Sequence, residues 1–522
     1  MSIMKTRKMK KQQIEDAIVD MVEELVLGRF EDPNQRVTTQ EDINNAPTDF
    51  SKRQILLALM ERDGTQTKKD ARILGDIMRM MKIFDLHGAG FSLTKNHLVP
   101  LVEHLREYVR VGEVEKKEHG EVMTPIWLVE DMLDKLPKHV WSDPSLKWLD
   151  PCNGCGVFPS VVISRLMVGL QTEFPDQVDR YRHIVENMIH VCDIQAKNCF
   201  LHMVAFDPKD LFEMNIYCGS FLDEEFDKFA KDVWGVEKFD VIIGNPPYQS
   251  ESAKRNKGSG HTLWNKFCIK SISIMEEDAC LSFVHPSGWR NISGAFSAVK
   301  EAYQKNDLLY LEIHNIKDGK KTFGAATRYD WYVLRKSFTE GLETEIVFED
   351  GETEKSNIKQ RSFIPNFLHE KLSKVLADSG QEKINLVYSR SAYGADKKHI
   401  SKEKTVKNIF PCIKYISQKD ETKKLVYSST KENGHFGIKK VVFGTGAGLG
   451  GVYIDENGEY GLCQFSCGVA ADGRKELENI KKAITSKTFK ELMKACQFTT
   501  ELYNRKAIAL FRKDFWKEFI DV

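Results

Sequence analysis

Trp148-Leu149-Asp150-Pro151-Cys152-Asn153-Gly154-Cys155-Gly156-Val157-Phe158 reads as a strand, a glycine loop and the start of a helix. At the first strand-to-helix crossing of a doubly wound sheet, such a loop lets a ligand approach the backbone. Gly154 and Gly156 permit the tight turn and remove Cβ clashes. Asp150, at the strand's end, is suited to hold a cationic group. The pattern is Asp-x-x-x-Gly-x-Gly, so it lacks the Gly-x-Gly-x-x-Gly spacing of dinucleotide sites. No Gly-Lys-Ser/Thr follows, so it is not a phosphate loop either. A ligand with an amino-acid tail and no phosphate fits it better.

Outward from this loop, strands and helices alternate. Strands are expected at 146–150, 188–192, 239–244, 279–284, 308–313 and 331–334, with helices at 157–170 and 261–275. That alternation predicts an α/β fold with a parallel, doubly wound sheet. The second of these strands runs into Asp193. An acid at that place in this architecture holds ribose hydroxyls.

The apolar run Phe239-Asp240-Val241-Ile242-Ile243-Gly244 closes on Asn245-Pro246-Pro247-Tyr248. The two prolines fix φ and carry no N–H. The turn therefore presents carbonyl oxygens, the Asn245 amide and an aromatic face, with few competing donors. An acceptor-rich cradle beside a flat ring suits a planar amine or amide whose two N–H bonds must be held. A tight turn after a strand is the plainer reading of a Pro-Pro pair, but it does not ask for Asn and Tyr at its flanks.

A length of 522 residues predicts two to four domains. Formal net charge is zero, so any nucleic-acid surface must be local. The basic N-terminus lacks an apolar core and does not read as a signal peptide. No run approaches the ~18 apolar residues of a membrane span. Eleven cysteines are scattered through the chain and are expected to be reduced thiols in a cytoplasmic protein. Cys152-x-x-Cys155 has no second pair at matching spacing, so no metal site is expected. Residues 1–112 read as a helical N-terminal domain with no carboxylate-plus-lysine nuclease cluster evident. A charged linker (113–119) follows, and the alternating domain occupies 113–340. In 341–522 the alternation stops. Residues 391–440 hold twelve Lys against five Asp plus Glu, glycine-rich strands follow, and the C-terminus is helix-rich.

The glycine loop together with Asn245-Pro246-Pro247-Tyr248 resembles the S-adenosylmethionine-dependent amino-methyltransferases of DNA. Gly120-Glu121-Val122-Met123-Thr124-Pro125 upstream resembles the segment that precedes the cofactor loop in the gamma class of N6-adenine methyltransferases. The resemblance covers roughly residues 115–340. It implies a Rossmann-like methyltransferase sheet, with an N-terminal helical domain and a C-terminal α+β target-recognition region. It implies S-adenosylmethionine as cofactor and double-stranded DNA as partner, and leaves the oligomeric state open. Thr124 and Asp150 would contact the methionine part and Asp193 the ribose, beside Gly154 and Gly156. The family has an acid after the third strand for the cofactor's adenine amine. Here Ser220 stands there, with Asp223 as a substitute, and Phe221 is offered either to the adenine face or to the core.

By the same likeness, the Asn245 side-chain oxygen and the Pro246 carbonyl would draw the N–H bonds of an adenine amine out of plane. Pro247 would shape the turn, and Tyr248 and Phe323 would stack on a base flipped out of the duplex. The polar loop 249–261 reads as a flap, with Lys254, Arg255 and Lys257 near phosphates. The lysines between Lys397 and Lys440 are expected to add phosphate contacts. Other readings remain: a protein-glutamine methyltransferase, whose substrate amide is also planar; a bifunctional restriction–modification enzyme; and a DNA-binding module without turnover.

Overall fold

A computed structural model describes residues 124–520, apart from 208–211, 249–261, 293, 390–392, 395, 418, 445–449, 465 and 499–503. The expected N-terminal helical domain, the linker, Gly120 to Met123 and the flap with Lys254, Arg255 and Lys257 lie outside the described residues.

A nine-stranded sheet organises the first two thirds of the described chain. Its strands are β1 (Trp148–Asp150), β2 (Ile189–Asp193), β3 (Asn215–Cys218), β4 (Phe239–Gly244), β5 (Met275–Pro286), β6 (Asp307–His314), β7 (Tyr329–Arg335), β8 (Thr344–Val347) and β9 (Thr353–Ser356), in the order β3-β2-β1-β4-β5-β7-β6-β8-β9. The helices between them are α1 (Ile126–Asp134), α2 (Val157–Gly169), α3 (Gln177–His183), α4 (Ala196–Phe206), α5 (Glu224–Asp232), α6 (Trp264–Ser273), α7 (Ser297–Gln304) and α8 (Ile316–Phe323). The apolar core divides into two clusters, one containing α1 and α2 residues and the other Phe226, Phe267 and Val299 from α5, α6 and α7. Strands covered on both faces explain why β4 reads as a nearly continuous apolar run rather than an alternating one. In α2 ten of thirteen residues are buried, and Pro159 sits in the first turn, where its missing N–H has no intrahelical partner to lose.

The doubly wound architecture holds, but the sheet is mixed rather than parallel. β1 pairs in parallel with β2 and β4, β2 with β3, and β4 with β5, whereas β7 is antiparallel to both β5 and β6. The cause is local. His314, the last residue of β6, stands opposite Tyr329, the first of β7. The intervening chain with α8 therefore returns at the level it left, and the next strand has to run back. β8 and β9 carry the sheet beyond residue 340 to Ser356.

Strand order reverses between β2-β1 and β4-β5, so the carboxyl ends of β1 and β4 open a crevice, the usual ligand position in such sheets. Beyond the sheet, two four-stranded sheets follow, ordered β10 (Asn385–Val387), β17 (Ser466–Ala470), β14 (Lys440–Gly444), β15 (Val452–Asp455) and β11 (Ile400–Ser401), β13 (Lys423–Ser428), β12 (Phe410–Ile416), β16 (Gly461–Leu462). α9 (His369–Val375), α10 (Arg474–Thr485), α11 (Lys487–Ala495) and α12 (Arg505–Ile508) contribute to one core with the first of these sheets. One expected phosphate-contacting lysine is corrected here. Lys440 is buried: its Nζ donates to Asp455 at 2.7 Å and to the carbonyls of His435 and Ile438. Burial without that partner and those acceptors would be prohibitive, so Lys440 is a structural cation. Lys402, Lys404, Lys407 and Lys414 are exposed.

Candidate active site

The glycine loop is held from below by its neighbours. Gly154 N donates to Asp193 Oδ2 at 2.8 Å, and Asn153 N donates to the Cys192 carbonyl at 3.0 Å. Gly154 and Gly156 both adopt positive φ, at 54° and 83°. The two glycines serve different needs. A Cβ at Gly156 would meet the Phe206 ring at 2.8 Å, so this one lets α2 pack on α4. A Cβ at Gly154 would meet nothing within 4 Å, so this one faces open space. Under the loop, His202 pairs with Asn153 Oδ1 at 3.1 Å. Burial lowers the His202 pKa to about 3, which keeps the imidazole neutral there.

Asp150 ends β1 and is buried. Its Oδ1 accepts from the Cys152 N–H at 3.1 Å, while Oδ2 is buried with no hydrogen-bond partner among the described residues. Burial drives its pKa up to about 8, opposed by the Cys152 N–H and reinforced by nearby Asp193. An unsatisfied carboxylate oxygen in a crevice is costly unless something cationic completes it. The approach of β4 is tight at this point. Gly244 has φ of 154°, and a Cβ there would lie 3.0 Å from Asp150 Oδ1 and 3.1 Å from Cys152 Sγ. Only glycine lets the two strand ends come this close.

Directly after Gly244, the Asn245 Nδ2 donates to Thr124 Oγ1 at 3.0 Å. Thr124 is buried at the entry to α1, where the Pro125 carbonyl accepts from the Leu128 and Val129 N–H groups. The hydrogen bond fixes the amide plane and leaves Oδ1, an acceptor, as its other polar atom. Tyr248 is half-buried against the second core cluster. Its hydroxyl is buried without a hydrogen-bond partner among the described residues, and burial raises the phenol pKa, with Tyr329 and Asp330 nearby adding to the shift.

The structure thus brings together Thr124, Asp150, Gly154, Asp193, Asn245 and Tyr248 across the ends of β1, β2 and β4. Asp193 does more than the sequence suggests. Besides Gly154 N it accepts from Gln195 N at 2.8 Å and Asn198 Nδ2 at 3.2 Å, so it pins the loop to the start of α4. Ser220 is half-buried, and its Oγ accepts from Leu222 N at 3.3 Å. Asp223 is exposed; its carbonyl accepts from Lys270 Nζ. Phe221 is buried against Phe226 and Phe267, with ring centroids 5.0 and 5.2 Å away. Phe323 ends α8 half-buried, edge-on to Tyr329 at 4.8 Å.

Sequence reading missed a buried cluster beside the Asn-Pro-Pro-Tyr turn. Asp330 Oδ2 accepts from Arg290 Nε at 2.7 Å and Trp289 Nε1 at 2.9 Å, with all three side chains buried. The signal was there: Asp330 interrupts the apolar strand Tyr329-Asp330-Trp331-Tyr332-Val333-Leu334.

Residues 160–323 match the family described as Eco57I restriction-modification methylase. An adenine-specific methylase of Mycoplasma pneumoniae is 26% identical over 296 residues, covering 44% of this chain and 67% of that protein. The type II methyltransferase M.VspI of a Vibrio species is 26% identical over 265 residues, covering 49% of this chain and 57% of its own length. Among solved structures, a nuclease-deletion mutant of the Type ISP restriction-modification enzyme LlaGI with a DNA substrate mimic covers 95% of this chain and 57% of its own, at 14% identity and a TM-score of 0.46. A DrdV–DNA complex covers 81% of this chain and 58% of its own, at 12% identity and a TM-score of 0.44.

Proposed function

We propose that this chain is an adenine-specific methylase similar to the Eco57I restriction-modification methylases, and that it transfers a methyl group from S-adenosylmethionine to N6 of an adenine flipped out of duplex DNA. The observation that carries the reading is the Asn245 amide, tied by Nδ2 to Thr124 and set directly beyond Gly244, where β4 closes on Asp150, whose Oδ2 has no hydrogen-bond partner among the described residues. A methyl-acceptor cradle and a cation-seeking carboxylate thereby share one crevice.

The residues fit the cofactor. Asp150 Oδ2 would receive its ammonium group, the open face at Gly154 would admit its amino-acid tail, and Asp193 and Ser220 are proposed to hold its ribose and adenine. When bound, S-adenosylmethionine supplies an electrophilic methyl on a sulfonium. The protein's part is to make a poor nucleophile competent. The lone pair of an exocyclic adenine amine is delocalised into the ring. Asn245 Oδ1 and the Pro246 carbonyl accept its two N–H bonds and draw the nitrogen toward a tetrahedral shape. Pro246 and Pro247 keep competing N–H donors out of the turn. Positioning and fixed dipoles supply most of the acceleration, and no covalent nucleophile is required. The half-buried ring of Tyr248 supports stacking on the extruded base, a contact worth ~1–3 kcal/mol; Phe323 is the proposed second ring. Lys254, Arg255 and Lys257 are proposed to close over the DNA backbone. Exposed lysines of the C-terminal region are proposed to contact phosphates and to serve target recognition. The proposed setting is the cytoplasm; among the described residues no helix is long and apolar enough to cross a membrane.

Tritium transfer from labelled S-adenosylmethionine to DNA tests this directly, with Asn245→Ala as control. Label on DNA that disappears in the variant supports the reading. Label on protein and never on DNA points to a glutamine amide instead, and DNA binding without label points to a silent binding module.

A further inference from the structure

The buried cluster around Asp330 has no part in the chemistry described so far, yet it stands beside the turn that performs it. Register fixes the neighbourhood. Gly244, the last residue of β4, pairs with Phe283 of β5, and β5 continues past it to Pro286. Across those extra residues β7 begins, with Tyr329 opposite Pro286 and Asp330 opposite His285. Asn245 to Tyr248 leave β4 at this same level, and Tyr329 and Asp330 at the start of β7 are near enough to act on the Tyr248 phenol.

Two polar atoms here lack partners. Asp330 is fully buried, and its Oδ1 has no hydrogen-bond partner among the described residues. The Tyr248 hydroxyl is likewise buried and unpartnered. Buried groups in that condition are rare and call for an explanation. Meanwhile Asp330 Oδ2 is immobilised by Trp289 and Arg290. Arg290 in turn donates to the carbonyls of Ile364 and Pro365 and to Asn366 Oδ1, and Asn366 Nδ2 donates to the carbonyls of Lys494 and Gln497 at the end of α11. The carboxylate is therefore anchored to the C-terminal region rather than only to its own sheet.

Resting on the proposed methyl transfer, we propose that Asp330 is a positioning residue for Tyr248: with a base in the site, Asp330 Oδ1 accepts the Tyr248 hydroxyl and fixes the plane of the stacking ring, while Arg290 fixes Asp330 from the C-terminal side. A phenol and a carboxylate oxygen that are each unsatisfied relieve both costs by one hydrogen bond. Burial lifts the Asp330 pKa above its ordinary value and the guanidinium alongside opposes that lift; with Oδ2 already taken by Trp289 and Arg290, Oδ1 is the oxygen left to meet the phenol. A ring that only has to stack needs no hydroxyl, and a ring held in one plane does.

The test is a cycle of Tyr248→Phe, Asp330→Asn and the double variant. It is read as single-turnover methyl transfer, duplex dissociation constant and fluorescence of 2-aminopurine at the target position. Tyr248→Phe keeps the ring and removes only the hydroxyl. It is expected to slow transfer about tenfold, the scale of one hydrogen bond to a charged group, with duplex affinity and base extrusion unchanged. Asp330→Asn should slow transfer in the wild-type background and add nothing in the Phe background. Wild-type transfer by Tyr248→Phe overturns the proposal, and so does an additive double variant. If Asp330→Asn does not fold, the Tyr248→Phe rate and extrusion signal decide alone. If the wild-type protein itself transfers no methyl to DNA, the proposed function has failed rather than this inference.

Discussion

Replacing Asp150 by Asn should make the protein more stable and weaken its binding of the proposed cofactor, two opposite effects from one isosteric change. Asp150 Oδ1 accepts from the Cys152 N–H at 3.1 Å, a bond an Asn oxygen can keep, while the Oδ2 that becomes NH₂ has no protein partner to lose. The carboxyl pKa stands at about 8 in the folded chain against an ordinary 3.8. Between those values the folded state holds a proton that the unfolded state has released. Stability therefore falls as pH rises through that window, and the full penalty is present above pH 8. At about 1.36 kcal/mol per tenfold change in proton affinity, the ceiling on that penalty is ~6 kcal/mol. A third of it, ~2 kcal/mol, corresponds to roughly 4–8 °C in Tm at about 2–4 °C per kcal/mol. Asp150→Asn lacks the titrating group, so its Tm should exceed that of the wild type at pH 8.5 and match it near pH 4. By the proposed role of Asp150, the same variant leaves the ammonium of S-adenosylmethionine without its charge partner. Truncating one partner of a buried charge pair costs about 2–5 kcal/mol, at least ~30-fold in affinity. Thermal melts at both pH values, with and without S-adenosylmethionine, read both effects. In the wild type, the arriving cation lowers the carboxyl pKa, so binding at pH 7 should release close to one proton. Calorimetry in two buffers of different ionisation enthalpy measures that release. A variant that melts lower at pH 8.5, or that binds cofactor like the wild type, would refute the reasoning, as would binding without proton release.

Asn245→Ala should reduce methyl transfer on the order of 10²–10³-fold, the scale of removing one fixed dipole from a reacting centre, with duplex affinity nearly unchanged in a filter-binding assay. Gly244→Ala puts a methyl 3.0 Å from Asp150 Oδ1 and 3.1 Å from Cys152 Sγ at a φ of 154°. It is expected to lower cofactor affinity by about tenfold or more and to reduce Tm, since overpacking there typically costs ~1–3 kcal/mol; unchanged calorimetric affinity would show that the β1–β4 approach is not needed.

The parts of the site that sequence revealed are those written in consecutive residues. The glycine loop and the Asn-Pro-Pro-Tyr turn are readable because glycine and proline state backbone geometry locally, and because Asp150 and Asn245 each end an apolar strand. What sequence hid depends on distant partners. Thr124 meets Asn245 across 121 residues, and Arg290 reaches Asn366 across 76, so neither residue's type discloses the contact. The direction of β7 was hidden because it follows from where the β6–β7 connection travels, not from the strand's own residues. Lys440 was misread because a lysine count cannot separate a solvated face from a strand that turns one lysine inward onto Asp455. That Phe221 packs on Phe226 and Phe267 was hidden in the same way, since its partners lie on other elements.

Asp193 already has a task in the fold apart from the ligand role expected of it. An acid at the end of β2 is expected to hold ribose hydroxyls, but its two oxygens already accept from Gly154 N, Gln195 N and Asn198 Nδ2. A carboxylate offers about four lone-pair positions, so a ribose contact has to share oxygens with the loop. Mutation alone cannot separate the roles: Asp193→Asn places an NH₂ against one of those donors, whichever way the amide is turned, and so loosens the loop as well as any ligand contact. Altering the ligand separates them. A 2′,3′-dideoxy analogue of S-adenosylhomocysteine leaves every protein bond in place and removes only the ribose hydroxyls. If Asp193 serves both tasks, wild-type protein should bind the analogue about tenfold or more weakly than its parent, one charge-assisted hydrogen bond. Asp193→Asn should then lose more than that toward the parent ligand and melt lower without it. Equal calorimetric affinity for analogue and parent would remove the ribose role while leaving the loop role intact. A normal melting temperature for Asp193→Asn would do the reverse.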